Sequence, residues 1–207
     1  GLERLSKITH VAFDKTGTLT YGKPEVTAVI TSDNYFTGES LLRTAAAAEQ
    51  NSEHPLGKAI VNSYIRNGNK CDPAENFTLE AGNGVCATVN GVQILAGKRG
   101  YIEANKVRIP EETEMKAEEL QSKGATVIYI AADRKLAGII ALADTIRTDA
   151  EETVSQLSAE GITPVLLTGD NKAAAETIAA EAGITTVRAG LLPEDKMNII
   201  KSYETKE

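Results

Sequence analysis

Apolar positions recur along the chain with two different periods, and the change of period predicts where helices and strands lie. Helix formers at helical spacing predict one helix in TGESLLRTAAAAEQ and another in HPLGKAIVNSYIRNG, which Pro55 opens and Gly68 closes. Short β-like runs between Phe77 and Gly97 surround the dipeptide Asn90-Gly91, which is typical of a hairpin turn. This part of the chain therefore mixes helices with an antiparallel sheet.

The middle and the end of the chain follow different patterns. A third helix is predicted at about residues 110–123, and ATVIYIAADRKLAGIIALAD predicts two strands around Asp133–Lys135. After Asp144, helix and strand alternate: a helix at about 148–160, strand TPVLL, helix NKAAAETIAAEAG, short strand TTVRAG, and a helix from Pro193. Such βα units are typical of a parallel doubly wound sheet.

The first strand has the same character as these units, yet a long segment separates it from them. A connection of about 110 residues is too long for a βα loop and is expected to form a domain of its own. The sequence therefore predicts an α/β domain built from residues 1–31 and 142–207, with an α+β domain, residues 32–141, inserted into it.

Composition narrows the choice of partners. The 207 residues are 42% apolar and carry a net charge of -7, which argues against nucleic acid or an anionic membrane surface as the main partner. Cys71 and Cys86 fit neither a zinc site nor a disulfide framework and are predicted to be reduced thiols. No window approaches the roughly 18 apolar residues that span a bilayer, so a soluble chain is expected.

Three strand ends carry candidate chemistry. Ile8, Val11, Ala12 and Phe13 predict a strand buried on both faces that carries Asp14 to its carboxyl end, followed by the turn DKTGT. TGDN places Thr168 and Gly169 after another strand, and PEDK places Lys196 in the first turn of a helix. A nucleophilic carboxylate, a hydroxyl donor and a counter-charge together predict a phosphoryl-transfer site.

The ordered motifs DKTGTLT, TGDN and PEDK resemble the P-type ATPases, cation pumps that phosphorylate themselves on the Asp of the first motif. The resemblance covers essentially the whole chain and implies the fold of the haloacid dehalogenase-like hydrolases, a Rossmann-type parallel sheet with an inserted nucleotide-binding domain. It implies ATP as substrate and Mg²⁺ held by Asp14 and the carbonyl of Thr16. The implied catalytic residues are Asp14, Lys15, Thr16, Thr168, Gly169, Asp170 and Lys196.

Within that family, SEHPLGKAI and EAGNGV resemble the heavy-metal pumps. By this resemblance His54 orients the nucleotide and Gly82 and Gly84 let the backbone approach it, while ALADTIR resembles the hinge back into the phosphorylation domain. VAFDKTGTLT and AGLLPEDK resemble the zinc/cadmium/lead branch more than the copper branch. The implied nucleotide-binding residues are Glu49, Ser52, Glu53, His54, Pro55, Gly82, Gly84, Asn105, Asp144 and Arg147.

Two other functions compete with the pump. A stand-alone phosphatase of the haloacid dehalogenase-like class carries a second Asp two residues after the nucleophile, as general acid and then base; here that position is Thr16. Without this carboxylate the phosphoenzyme is expected to persist, which favours a pump. A regulatory ATP-sensing module is the third, non-enzymatic hypothesis, and it predicts that Asp14→Asn leaves every function intact.

One motif is interpreted as structural, and several parts of a pump are expected elsewhere in the same polypeptide. Thr37–Ser40 spells TGES, the loop of the actuator domain, but it follows the phosphorylated Asp and predicts a helix start instead. The resemblance implies transmembrane and actuator domains, and a further Mg²⁺-binding Asp beyond the PEDK helix, which we expect outside the 207 residues. We expect an ATP-binding, partial phosphorylation region of low turnover at the cytoplasmic face of the cell membrane, with no nucleic acid or obligate partner chain.

Overall fold

The computed structural model describes residues 8–204, which form two compact units. The first extends to Lys23, includes Ser122–Gly124 and resumes at Asp144; the second comprises Pro24–Gln121 and Ala125–Ala143. The division therefore falls at residue 24, whereas the sequence analysis places it at residue 32. Residues 1–7 and 205–207, the two ends of the predicted α/β domain, lie outside the described residues.

The strands in chain order are β1 His10–Asp14, β2 Thr20–Thr31, β3 Ala74–Glu80, β4 Gly84–Val89, β5 Val92–Gly97, β6 Thr126–Ala132, β7 Lys135–Ile146, β8 Thr163–Leu167 and β9 Thr186–Arg188. The helices are α1 Gly38–Glu49, α2 Pro55–Ile65, α3 Arg99–Ala104, α4 Glu111–Ser122, α5 Ala150–Ala159, α6 Lys172–Ala182 and α7 Pro193–Glu204. These bounds confirm the predicted helices and hairpins to within a few residues. In the part of the chain that the structure describes, no helix combines the length and the apolar character that crossing a membrane requires.

The first unit contains the predicted parallel sheet, in the order β1-β8-β9. Its core joins the sheet to α5 and α6 through Val154, Leu166 and Ala179, all of them buried. Loops leave all three strands at the same edge, because parallel strands share their carboxyl ends. This is the edge at which open α/β sheets bind ligands.

Strand β1 corrects one prediction of the sequence analysis. Val11 and Phe13 are half-buried, whereas Ala12 and Asp14 are exposed, so the strand is not buried on both faces. Among the described residues β1 pairs only with β8 and forms the edge of the sheet. One face, with Phe13, packs against the core, and the other faces solvent.

The second unit is an α+β sandwich around the sheet β2-β7-β6-β5-β4-β3, in which β7 to β3 pair antiparallel. Side chains alternate across this sheet: Ile128 and Ile130 pack against α1 and α2, while Val127 and Tyr129 pack against α3 and α4. The two buried faces give this unit a large core. The free thiols Cys71 and Cys86 confirm the prediction of unpaired cysteines.

Helix starts in the second unit follow their sequence signals. Thr37 begins α1 with a reciprocal capping arrangement, because its hydroxyl accepts from the N–H of Ser40 while its own N–H donates to the Ser40 hydroxyl. The interpretation of TGES as a helix start is confirmed. His54 precedes α2 and Pro55 is its first residue, the position where a missing N–H costs nothing.

Candidate functional site

Asp14 lies at the carboxyl edge of the parallel sheet, where three strands end together. The strand register sets Asp14 opposite Leu167 in β8 and Leu167 opposite Arg188 in β9. Thr168, the residue after Leu167, therefore follows the end of the neighbouring strand β8, one residue beyond the position opposite Asp14. The sheet aligns the first two predicted motifs without any contribution from their side chains.

Lys196 brings the third motif to the same place. Its Nζ atom lies 3.3 Å from both carboxylate oxygens of Asp14. The lysine stands in the first turn of α7, and the N–H of Leu192 donates to the Asp195 carboxylate at 2.9 Å, which fixes the start of that helix. Asp14 remains 56% exposed, so a ligand can reach the carboxylate that Lys196 has already neutralised.

Lys15 is directed to a different carboxylate. Its Nζ atom lies 2.5 Å from Oδ2 of Asp170, and both side chains are largely shielded from solvent. The N–H of Asp170 donates to the Thr168 hydroxyl at 3.1 Å, which fixes the loop that carries the pair. Because Asp170 occupies the ammonium group of Lys15, Lys196 provides the positive charge beside Asp14.

Thr168 and Gly169 form a tight loop between β8 and α6. Thr168 is buried, and its backbone bonds to the carbonyl of Arg188 and the N–H of Leu191 hold it in place. A Cβ atom at Gly169 would lie 3.1 Å from the Leu191 carbonyl, so glycine suits this close approach. The Thr168 hydroxyl accepts one hydrogen bond and keeps its own hydrogen available among the described residues.

The segment after Asp14 is a type II turn. Thr16 has φ -75° and ψ 123°, and Gly17 has φ 75° and ψ -2°, close to the two central positions of that turn type. The third position of a type II turn needs a positive φ, which explains the glycine. The turn sets the direction in which the chain leaves the Asp14 carboxylate.

Oxygen ligands for Mg²⁺ are few in this unit. Residues 8–204 bring together no group of three or more His, Cys, Asp or Glu side chains that would hold a metal ion. Asp14 supplies an exposed carboxylate and Thr16 a backbone carbonyl. Mg²⁺ commonly binds one or two carboxylates together with substrate phosphates and several waters. The residues present therefore fit a Mg²⁺ ion that arrives with a phosphate ligand.

Glu49 anchors the predicted nucleotide residues of the second unit. It ends α1 with only 6% of its surface exposed, and burial raises the pKa of its carboxyl group from 4.5 to about 7, against a smaller lowering by a hydrogen bond with Ser52. A Cβ atom at Gly57 would lie 2.4 Å from Oε2 of Glu49 and 2.9 Å from the Ser52 hydroxyl. Gly57 thus leaves the space that this carboxyl group occupies.

His54 links this buried group to the surface. The backbone N–H of His54 donates to the Ser52 hydroxyl at 3.2 Å. The ring Nδ1 accepts from the backbone N–H of Leu56 at 3.2 Å and so caps α2. The cap orients the ring, and among residues 8–204 no hydrogen bond to Nε2 is found. Glu53 points away into an exposed ion pair with Lys58, which lowers its pKa.

Gly82 and Gly84 differ in their surroundings. Gly82 has φ 77° and open space where a Cβ atom would lie. At Gly84 a Cβ atom would meet the Ala96 carbonyl and the Tyr101 ring, each at 2.5 Å, so the close approach that this glycine permits is to Tyr101. Asn105 lies beside the same residue, because its side-chain amide donates to the Tyr101 carbonyl at 2.8 Å.

Asp144 and Arg147 belong to the first unit, and their contacts lie within it. Asp144 accepts a hydrogen bond from the Thr20 hydroxyl at 2.5 Å and another from the N–H of Lys23 at 3.1 Å. The guanidinium of Arg147 lies 5.7 Å from the centre of the Tyr21 ring and pairs with an adjacent carboxylate. Through these contacts Asp144, in β7, and Arg147, just after β7, interact with the start of β2.

Three residues of these clusters have no role in the sequence analysis: Thr20, Gly57 and Tyr101. Gly57 stands within the quoted SEHPLGKAI motif, and Tyr101 lies one helical turn before Asn105, so sequence signals existed for both. The partner of Thr20 is 124 residues away, and no local pattern predicts it.

One pocket of the second unit is lined by other residues. Its volume is about 410 Å³, and its lining includes Tyr35, Phe36, Asn90 and Asp133. None of the predicted site residues lines it. This pocket is therefore distinct from the predicted nucleotide-binding residues of the second unit.

Comparison with known families assigns the chain to a family. The profile described as haloacid dehalogenase-like hydrolase matches residues 8–207, and the chain belongs to this family. In sequence the chain is 40% identical, over all of its length, to 25% of the copper-exporting P-type ATPase of Staphylococcus haemolyticus (strain JCSC1435). It is 43% identical, over 96% of its length, to 26% of the zinc/cadmium/lead-transporting P-type ATPase of Shigella sonnei (strain Ss046).

Solved structures extend the likeness to the fold. The crystal structure of a zinc-transporting PIB-type ATPase in the E2·Pi state matches with a TM-score of 0.86 and 41% identity, over 98% of this chain and 32% of that one. A catalytic CPx-ATPase domain, CopB-B, matches with a TM-score of 0.71 and 26% identity, over 98% of this chain and 71% of that one. The resemblance to heavy-metal P-type ATPases is confirmed, and the chain spans about a quarter of the curated relatives' length.

Proposed function

We propose that the chain is the ATP-binding and phosphorylation region of a P-type ATPase that exports a heavy-metal cation. The observation that carries this proposal is the exposed Asp14 carboxylate, neutralised by Lys196 on both oxygens and followed two positions later by Thr16 instead of a second Asp. The relatives with metal-exporting names support the transport role, which concerns the whole polypeptide.

In the proposed reaction, an oxygen of Asp14 attacks the γ-phosphorus of ATP. The new O–P bond forms as the bond between that phosphorus and the β,γ-bridging oxygen breaks, and ADP leaves with the electron pair. Lys196 offsets the charge on the attacking carboxylate and on the transferred group, and the Thr168 hydroxyl donates to a phosphoryl oxygen. Mg²⁺, held by Asp14 and the carbonyl of Thr16, would neutralise phosphate charge when bound.

The second unit binds the nucleotide in this proposal. Glu49, Ser52 and His54 form one hydrogen-bonded group, and Nδ1 of His54 caps α2, so that Nε2 is the ring nitrogen that binds ATP. Gly82 offers open backbone, while Gly84 and Asn105 act through their contacts with Tyr101. Glu53 and Pro55 belong to the same motif. Glu53 is exposed and pairs with Lys58, and Pro55 is the first residue of α2.

Thr16 separates the pump from a stand-alone phosphatase. A phosphatase needs a carboxylate near Asp14 to activate the water that hydrolyses the aspartyl phosphate. Asp170, the other acidic residue of these motifs, is ion-paired with Lys15 through Oδ2 and does not stand two positions after Asp14. The aspartyl phosphate is therefore expected to be long-lived, which suits an intermediate that drives a conformational change in transmembrane and actuator domains of the same polypeptide at the cytoplasmic face of the membrane.

Calorimetry tests the nucleotide half of the proposal. Titration of the chain with a non-hydrolysable ATP analogue is expected to give a saturable binding heat, and His54→Gln to weaken binding about tenfold through loss of one oriented contact. Asn62→Gln is the matched control, since Asn62 is an exposed residue of the same helix about two turns beyond His54. No heat from the wild-type chain, or equal affinity in His54→Gln, would contradict the assignment.

A further inference from the structure

The hydroxyl group of Thr20 lies at the centre of a small network beside the phosphate-acceptor turn. Thr20 is 1% exposed, and its Oγ1 atom lies within hydrogen-bond distance of the Gly17 N–H at 3.3 Å and the Lys15 carbonyl at 3.1 Å. The N–H of Thr20 also donates to the Lys15 carbonyl. One residue thus contacts the first and third positions of the type II turn that follows Asp14.

Asp144 is the third partner of this hydroxyl, at 2.5 Å from Oδ2. The hydroxyl has a single hydrogen, and the two acceptors within its reach are the Asp144 carboxylate and the Lys15 carbonyl. The shorter distance is typical of an O–H donor to an ionised carboxylate. The hydrogen therefore points to Asp144, and an oxygen lone pair remains for the Gly17 N–H.

The other carboxylate oxygen of Asp144 is also occupied. Oδ1 accepts from the N–H of Lys23, three residues along β2 from Thr20. Around this pair the N–H of Arg147 donates to the Leu19 carbonyl at 2.8 Å, so the two chain segments are bonded at several points. Both oxygens of Asp144 thus accept hydrogen bonds from the start of β2.

We infer that Thr20 and Asp144 form a positioning pair for the phosphorylation step. Asp144 orients the Thr20 hydroxyl, which holds the Lys15–Gly17 turn and thereby the Asp14 backbone and the Thr16 carbonyl. The resemblance to P-type ATPases implies a nucleotide-binding role for Asp144, whereas its contacts are with the residues around the acceptor turn. It rests on the proposed function, because the step being positioned is phosphoryl transfer to Asp14.

The test compares Thr20→Val, Thr20→Ser, Asp144→Asn and the Thr20→Val/Asp144→Asn double variant in the full chain. Loss of a hydrogen bond to a charged group corresponds to about tenfold in an equilibrium. We expect amide hydrogen exchange at Gly17 to accelerate about tenfold in Thr20→Val and in Asp144→Asn, and the double variant to exchange no faster than the faster single variant. Thr20→Ser, which keeps the hydroxyl, is expected to restore protection.

Two further measurements separate positioning from general stability. Formation of aspartyl phosphate from ATP is expected to slow about tenfold in Thr20→Val and Asp144→Asn, while the Kd of a non-hydrolysable ATP analogue stays within about twofold of wild type. Thr27→Val is the matched control. Its hydroxyl also bonds β2 to β7, through the Ala141 carbonyl at 3.3 Å, but it contacts no part of the turn.

Each outcome decides the inference. A Kd that rises in Asp144→Asn but not in Thr20→Val would place Asp144 on the nucleotide and overturn the pair. Unchanged Gly17 exchange in both single variants would overturn it as well. Asp144→Asn keeps the side-chain shape, so it carries the test even if Thr20→Val unfolds. Phosphate found on a residue other than Asp14 would refute the proposed function, whereas the exchange result would still decide the hydrogen-bond network.

Discussion

The two units hold their functional groups in opposite ways. In the first unit Asp14 and Lys196 meet through an exposed ion pair, and α7, which carries Lys196, has no buried residue. In the second unit Glu49 is buried against Gly57, and Gly84 is covered by Tyr101. Charge at a sheet edge defines the first site, and close packing defines the second.

Because of this difference, substitutions in the two units are expected to affect the reaction and the free energy of unfolding to different extents. An exposed ion pair contributes little to folding, so the first unit can gain or lose charge at Asp14 during a reaction cycle at small structural cost. A site made of packed groups changes shape when any of them is altered. Substitutions at the first site are therefore expected to change the reaction, and those at the second to change the free energy of unfolding as well.

The largest expected effect concerns Glu49. Its pKa of about 7, raised from 4.5, means that the folded protein keeps a proton that the unfolded chain loses over that interval. The stability of the second unit should fall as pH rises through this window, by about 2–3 kcal/mol in total. Glu49→Gln cannot ionise and should lack this fall. Urea denaturation at pH 5 and pH 8 checks it, and equal pH dependence in both proteins would contradict burial of the carboxyl group.

Gly84→Ala tests the packing against Tyr101. The added methyl group meets a backbone carbonyl and the aromatic ring at 2.5 Å, and overpacking of this kind costs about 2 kcal/mol. Tyrosine fluorescence during urea denaturation measures it, because the chain has no Trp and four of its six tyrosines lie in the second unit. Gly100→Ala, in a helix with open space around it, is the control and should be neutral or stabilising.

Asp170→Asn removes the partner of Lys15 in the first unit. The pair is partly shielded, so we expect a loss of about 1 kcal/mol that shrinks at high salt. Hydrogen exchange of the β8 amides reports this local change. Glu181→Gln, at an exposed position of α6 in the same unit, serves as a charge-matched control. A loss of stability as large as that expected for Gly84→Ala would contradict the proposed difference between the two units.

Lys196→Met should have the smallest effect on folding, below about 0.5 kcal/mol, because Asp14 is exposed. Formation of aspartyl phosphate should nevertheless fall about a hundredfold, since no other cation contacts the carboxylate among the described residues. Thermal unfolding and quenched phosphorylation assays give the two numbers. A variant that is destabilised but forms aspartyl phosphate at the wild-type rate would contradict the role given to Lys196.

The position of the first site was predictable because it follows from the order and direction of the strands. Strands that end at one edge bring Asp14, Thr168 and Lys196 together once the βα pattern is recognised, and the contact between Lys196 and Asp14 follows that expectation. The exposure of β1 was not predictable, because an apolar run of strand length reads the same at the edge of a sheet as at its centre.

The second site was predictable only as a motif. Burial of Glu49 depends on α2 crossing α1 at Gly57, and the packing of Gly84 depends on a tyrosine in a later helix. Such contacts arise from the tertiary fold and leave no local period in the sequence. The bond between Thr20 and Asp144 is the extreme case, since its two ends lie on either side of the inserted unit.

The most direct test of the account is to map the phosphoryl group. The chain is incubated with ATP and Mg²⁺ and quenched in acid, and the peptide that carries phosphate is identified by mass spectrometry. We predict one hydroxylamine-labile phosphoryl group on Asp14, absent from Asp14→Asn and slow to hydrolyse in the wild-type chain. Phosphate that remains in Asp14→Asn, or rapid hydrolysis of small phosphate esters without a stable acyl phosphate, would contradict the account.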